Sequence, residues 1–155
     1  MTHRVIAICY AEDAEPYRHL QLHLSAAKRA GLVVLHSTTD FADDVTMASA
    51  IDEADIVLVL LTRALVNSSQ WTGVALQQTK ATADRLGIPV VPIVVQRCAW
   101  EESWLGQRAP LPRNGPPLCE RKDGEAAGWV EVAANLRHLF SARAPRLRQV
   151  LPVEG

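Results

Sequence analysis

No GxxxxGK[ST] stretch occurs in the 155 residues and no GxGxxG follows the first apolar run, so the two common glycine-rich phosphate cradles are missing. Nucleoside triphosphates are disfavoured as ligands. The longest apolar runs, such as residues 56–61, fall well short of the roughly 20 residues that cross a bilayer. No membrane helix is expected. Met1-Thr2-His3-Arg4 leads straight into a strand-like run with no long apolar stretch before a small-residue cleavage site, so no secretory signal is read and cytoplasmic residence follows by default. Cysteine is scarce. Cys9, Cys98 and Cys119 are odd in number and widely spaced, which excludes a disulfide framework and fits a reducing compartment. Neither sign of charge is in much excess, and a net charge of -1 gives no long-range pull toward nucleic acid or an anionic membrane. Neither is expected as a partner.

What remains is an ordinary globular mixture, 48% hydrophobic and 21% charged, long enough for one core and too short for two ordinary domains. Residues 5–10 form a β-prone run that stops at Ala11-Glu12-Asp13. Across residues 15–30, Tyr17, Leu20, Leu24 and Ala27 recur at three- and four-residue steps before Gly31, which predicts an amphipathic helix. A second strand over 32–35 dissolves into the polar stretch 36–44. Met47, Ala50, Ile51 and Ala54 keep helical spacing behind Thr46, a candidate N-cap. Residues 56–61 are continuously apolar, the pattern of a central strand covered on both faces.

Asn67-Ser68-Ser69 offers capping side chains before a helix that reaches Leu86 and closes at Gly87. Residues 90–95 read as a fourth, flanking strand, since Pro89 and Pro92 suit an edge. Residues 96–128 carry prolines, glycines and tryptophans without periodicity and read as a long loop. Trp129, Val132, Ala133, Leu136, Leu139 and Phe140 resume helical spacing. The domain is expected to span 1–143, with 144–155 a tail or linker, and Arg137, Arg143, Arg146 and Arg148 read as a solvated basic end.

Strands alternating with helices predict an α/β fold, a flavodoxin-like doubly wound parallel sheet of four to five strands with helices on both faces. Ligands bind such sheets at the carboxyl ends of the strands, here residues 9–13, 36–45, 61–71 and 96 onward. Glu12-Asp13 mimics the acidic pair of a phospho-receiver domain. That family needs an aspartate where Leu61-Thr62-Arg63 ends the third strand and a lysine near Gln96-Arg97, so it is rejected. His19 and His23 share a helical face at a four-residue step, but no third ligand sits nearby and no metal site is expected. Cys9 reads as a small core hydrophobe rather than a reactive thiol.

Four segments, in order, carry a family resemblance. Ile8-Cys9-Tyr10-Ala11-Glu12-Asp13 is similar to the opening "ISYSxxD" of TIR domains, the Toll/interleukin-1 receptor-like fold. Ala50-Ile51-Asp52-Glu53-Ala54-Asp55-Ile56-Val57-Leu58-Val59-Leu60-Leu61-Thr62 resembles the family's "aIexAdiillLlS". Ser69-Gln70-Trp71 with Ala75-Leu76 resembles "SxWcxxEL", and Val91-Pro92-Ile93-Val94-Val95 through Cys98-Ala99-Trp100 resembles "viPVilrpcdW" of the bacterial branch.

The resemblance implies one of two activities. Some TIR domains cleave NAD at the nicotinamide–ribose bond, and others act only by self-assembly or by docking onto other TIR domains. The enzymatic branch places a glutamate in the "EL" position, near the ribose hydroxyls, where it supports the oxocarbenium-like charge. Ala75 stands there, and residues 56–83 contain no Asp or Glu in any register. Gln77 and Gln78 supply hydrogen bonds but no negative charge. With that electrostatic stabilisation absent, no catalytic residue is assigned.

The resemblance thus implies an interaction and self-assembly domain in signalling or antiphage-type defence, without NAD cleavage, partnered by itself or by other TIR-like domains. It requires no cofactor. The alternatives take NAD or a related nucleotide as ligand, in a glycohydrolase using Glu12, Asp40 or Asp43, or in a sensor that binds without cleaving. Candidate pocket or assembly residues are Tyr10, Glu12, Asp40, Phe41, Ser69, Trp71 and Ala75. Phe41, in a loop lacking the family's usual Pro-Gly, either docks a partner or packs down. Trp71 either stacks on a ligand base or fills the core beneath the rim.

Overall fold

Four parallel strands, β1 (His3–Ile8), β2 (Val33–Ser37), β3 (Ile56–Leu61) and β4 (Val90–Val94), lie in the order β2-β1-β3-β4. The computed structural model describes residues 2–113 and 115–146. Val5 pairs with Leu35 on one side and Ile56 on the other, and Val57 pairs with Val90. Every residue of β3 is buried, because a strand flanked by strands and covered by helices has no polar face. β2, at one edge, alternates buried and exposed positions. Beyond β4, Leu111 alone pairs with Ile93, so among the described residues a fifth strand is reduced to a single bridge.

Alternation along β1 sends Val5 and Ala7 to one face and Ile6 and Ile8 to the other. The first face packs under α1 (Glu15–His23), α2 (Ser25–Arg29) and α6 (Glu125–Ala142). The second packs under α3 (Asp44–Asp52), α4 (Arg63–Val66) and α5 (Val74–Leu86). Among the described residues no helix is long and apolar enough to cross a membrane.

Local boundaries differ from the sequence reading where side chains compete for backbone groups. The helix expected over 15–30 is divided at Leu24 into α1 and α2, although the Leu24 N–H still donates to the Leu20 carbonyl at 3.0 Å and the Lys28 N–H to the Leu24 carbonyl at 3.0 Å. Asp43, not Thr46, caps α3, accepting the Thr46 N–H at 2.7 Å. The helix expected between Asn67-Ser68-Ser69 and Leu86 is two pieces, and a short α4 that the sequence reading did not expect precedes them. Thr62 caps α4, Ser68 caps a 3-10 turn over Ser69–Thr72, and α5 starts only after Gly73. Gly87 ends α5 at φ 68°, a left-handed conformation that glycine adopts without cost from a Cβ.

The His19 and His23 rings stack against Trp129 at centroid distances of 5.7 and 6.4 Å, so their shared face packs the junction of α1 with α6. Among the described residues no group of three or more His, Cys, Asp and Glu side chains is placed to hold a metal ion. Arg146 is docked rather than solvated. Its N–H donates to Asp55 Oδ1 at 2.7 Å, and its guanidinium donates to the Asp52 and Ala54 carbonyls at the end of α3. Arg137 and Arg143 are exposed, while Arg148 and the rest of 147–155 lie outside the described residues.

Tyr17 is buried beneath the first-strand rim. Burial, with the Asp40 charge second, pushes its phenol from the ordinary 10 up to about 12. The unfolded chain therefore ionises first, and the Tyr17 contribution to stability is intact below about pH 10 and lost as pH rises toward about 12. Urea melts across that window are expected to show a shallower fall for Tyr17→Phe than for wild type. Identical slopes would refute the assignment.

Candidate functional site

Three loops at the carboxyl ends of β1, β2 and β3 are stitched together by bonds from backbone to side chain. The Cys9 N–H donates to Thr38 Oγ1 at 3.3 Å, and the Ala11 N–H donates to Gln70 Oε1 at 3.2 Å. Ser37 and Asp40 form a capping box around the 3-10 turn Thr38–Asp40. The Ser37 N–H donates to Asp40 Oδ2 at 2.9 Å and the Thr39 N–H to Ser37 Oγ at 3.0 Å. These bonds satisfy the turn's own donors and set the loop spacing. Between residues 38–44 and the helix start at 69–75 they leave a cavity of about 600 Å³.

Ile8, Phe41, Met47 and Val74 are apolar residues of the cavity lining, and Thr39, Ser69 and Gln70 are polar ones. Ala75, in the first turn of α5 and 9% exposed, lies on the helix wall. That wall carries no carboxylate. Asp43 and Asp44 also line the cavity, and among the described residues no Lys, Arg or His does. The Thr46 backbone N–H, with the Thr46 side chain second, holds the Asp43 carboxyl below its ordinary value, so it is ionised at neutral pH. Two anions without a cation suit an uncharged or cationic group bearing hydroxyls. A pyrophosphate finds no counter-charge among these lining residues.

No family model matches the sequence. Among curated proteins, the uncharacterized protein y4lF of Sinorhizobium fredii is 25% identical over 122 residues, which are 76% of this chain. The chain spans 38% of that relative's length. Among solved structures, the RPS4 and RRS1 TIR domain heterodimer matches with a TM-score of 0.60 at 16% identity, covering 91% of this chain and 99% of the solved one. The fold is that of a TIR domain. The TIR-like fold expected from the four sequence segments is therefore present, with the parallel α/β sheet that the strand and helix alternation predicts.

Within this TIR-like fold, Phe41, Ser69 and Ala75 share the cavity with Asp43. Phe41 is half-buried, packs on the α3–α5 side of the core and lies 6.1 Å from the His36 ring. Tyr10, Glu12, Asp40 and Trp71 lie outside the cavity lining. Tyr10 packs on the same core with its hydroxyl 3.5 Å from Glu12 Oε2. The Asp40 carboxylate is engaged in the capping box. Trp71 is half-buried and lines a separate cleft with Leu76 and Trp104.

Cys9 is buried with its Sγ 3.2 Å from Ser37 Oγ, and burial pushes its thiol up, as befits a core residue. Sequence reasoning missed Asp44, Met47, Gln70 and Val74 as cavity residues. The signal available was the acidic pair Asp43-Asp44, which sits where a strand-to-helix loop ends on the rim.

Proposed function

We propose that this chain is a TIR-like interaction and self-assembly module of signalling or antiphage-type defence that does not cleave NAD. The observation that carries the reading is Ala75 on the helix wall of the rim cavity. The resemblance puts the catalytic glutamate at this position, and alanine supplies neither charge nor hydrogen bond to a developing cation. Among the described residues no cationic side chain lines the cavity to meet a pyrophosphate, which points the same way. The solved TIR neighbour is a heterodimer, which supports pairing with itself or another TIR-like domain as the mode of action.

The test is NAD consumption by concentrated wild-type protein beside Ala75→Glu, with assembly followed by sedimentation. Wild type is expected to stay at the buffer baseline while its sedimentation coefficient rises with concentration. Ala75→Glu is expected to exceed it by about a hundredfold or more, the scale of one electrostatic group at a reacting centre. Robust turnover by the wild-type chain would overturn the proposal.

A second reading is supported by Asp43 and Asp44, which line the same cavity as Ala75. In that reading Asp43 takes over the electrostatic role in an NAD glycohydrolase. Asp43→Asn would then abolish turnover, and an unchanged rate would end the idea.

A further inference from the structure

We propose that a second cavity, beyond the carboxyl end of β4, binds a phosphate group carried by a small molecule. The cavity measures about 380 Å³, within the usual range for small-ligand sites, and shares no lining residue with the one described above. Its failure or success is therefore independent of the proposed function. Three guanidinium residues line it, Arg97, Arg108 and Arg113, with Trp100 and Pro112 as apolar wall and Glu101 as the one carboxylate in the lining. Arg97 is already engaged, donating from Nη2 to Glu120 Oε1 at 3.0 Å.

Arg108 and Arg113 pair with no carboxylate among the described residues. The Arg108 guanidinium lies 5.9 Å from the Trp104 ring centroid, a contact that steadies its plane without neutralising its charge. In a chain of net charge -1, two unneutralised guanidiniums on one cavity are a local excess and not part of a generally basic surface.

The loop that carries them is anchored on both sides of each arginine. Arg108 lies between the buried Leu105 and Leu111, and Arg113 between Leu111 and the buried Leu118. Leu111 exchanges two backbone bonds with β4, accepting the Val94 N–H and donating to the Pro92 carbonyl, both at 2.8 Å. The Cys119 N–H donates to the Val95 carbonyl at 3.0 Å. At Gly106 a Cβ would stand 2.0 Å from the Glu101 carbonyl oxygen, so the loop folds back on itself there with no room for a side chain. These anchors hold the described residues around Arg108, which lowers the ordering that binding there must oppose. Planar guanidinium forks match phosphate oxygens in paired hydrogen bonds, which assigns the ligand class.

The test is calorimetry on the full chain with inorganic phosphate, pyrophosphate and AMP at ionic strength held constant with chloride. Saturable binding is expected, with AMP tighter if the ligand is a phosphate ester and no tighter if it is free phosphate. Arg108→Ala/Arg113→Ala is expected to raise Kd by at least about tenfold, the loss of charge-assisted bonds. Arg113→Ala alone, at an exposed position, should weaken binding in the same direction and covers the case in which the double variant fails to fold. Arg29→Ala, on α2 beside the opposite edge strand, is expected to leave Kd unchanged. No saturable heat with any of the three probes up to about 10 mM, a Kd that would be weaker than specific recognition needs, overturns the site. So does an equal loss in Arg29→Ala.

Discussion

Trp129→Ala is expected to lower the unfolding free energy by about 3–5 kcal/mol, a large fraction of the 5–15 or so that holds a domain of this size. The indole is fully buried at the meeting of α1 and α6. Truncation removes its apolar area from the core and leaves a void that the sheet beneath, rigid in its ladder, cannot close. It also removes both imidazole stacks, each of the kind worth about 0.5–1.5 kcal/mol beyond area. The indole N–H is 3.4 Å from Glu125 Oε1, a long bond at the partly exposed start of α6 that contributes less than the ring. Trp129→Phe keeps most of the filling and should cost under about 2 kcal/mol. Urea unfolding measures both, and a Trp129→Ala midpoint equal to wild type would show that the ring does not hold α6 to α1.

Asp55→Ala is expected to cost about 2–4 kcal/mol and to release the chain end from the sheet, because this carboxylate accepts two backbone N–H groups at once. The Arg4 N–H donates to its Oδ2 and the Arg146 N–H to its Oδ1, each at 2.7 Å, and the residue is 4% exposed. Alanine leaves both part-buried donors without this acceptor, and the cost is that of two charge-assisted bonds rather than of one net hydrogen bond. Arg146 also covers the carbonyls that end α3, so loss of its backbone tie exposes that terminus. Asp55→Asn retains one acceptor oxygen and should fall between wild type and alanine. Amide exchange at Arg4 and Arg146 is the direct readout, together with tryptic cleavage after Arg143. Unchanged protection at both amides would remove the role assigned to Asp55.

Where the sequence reading and the fold agree, the reason is local. Residues 56–61 read as a buried central strand, and β3 has the same bounds, since a run without polar residues has only one comfortable place in a doubly wound sheet. Gly87 stops α5 as expected, because its left-handed φ is a property of one residue. Where they differ, several acceptors competed within one turn. Asp43 and Thr46 both suit a cap, as do Ser68 and Ser69, and spacing alone does not choose between them. The five-strand option shrank to Leu111 because residues 96–124 spend their apolar anchors on loop packing rather than on an alternating run.

The sequence by itself determined the order of elements, the α/β class, the TIR-like segments and the lack of any acid along the chain from β3 through most of α5. Those properties follow from periodicity and composition, which neighbours along the chain specify. Only the tertiary structure decided that Asp43 and Asp44 line one cavity with Ala75, that Asp40 is engaged in a cap, and that Arg146 docks on Asp55. The same holds for Arg97, Arg108 and Arg113 lining one wall system beyond β4. Each of these joins residues from separate loops or opposite ends of the chain. Strand order and the packing of the crossovers bring them together, and no local pattern records that.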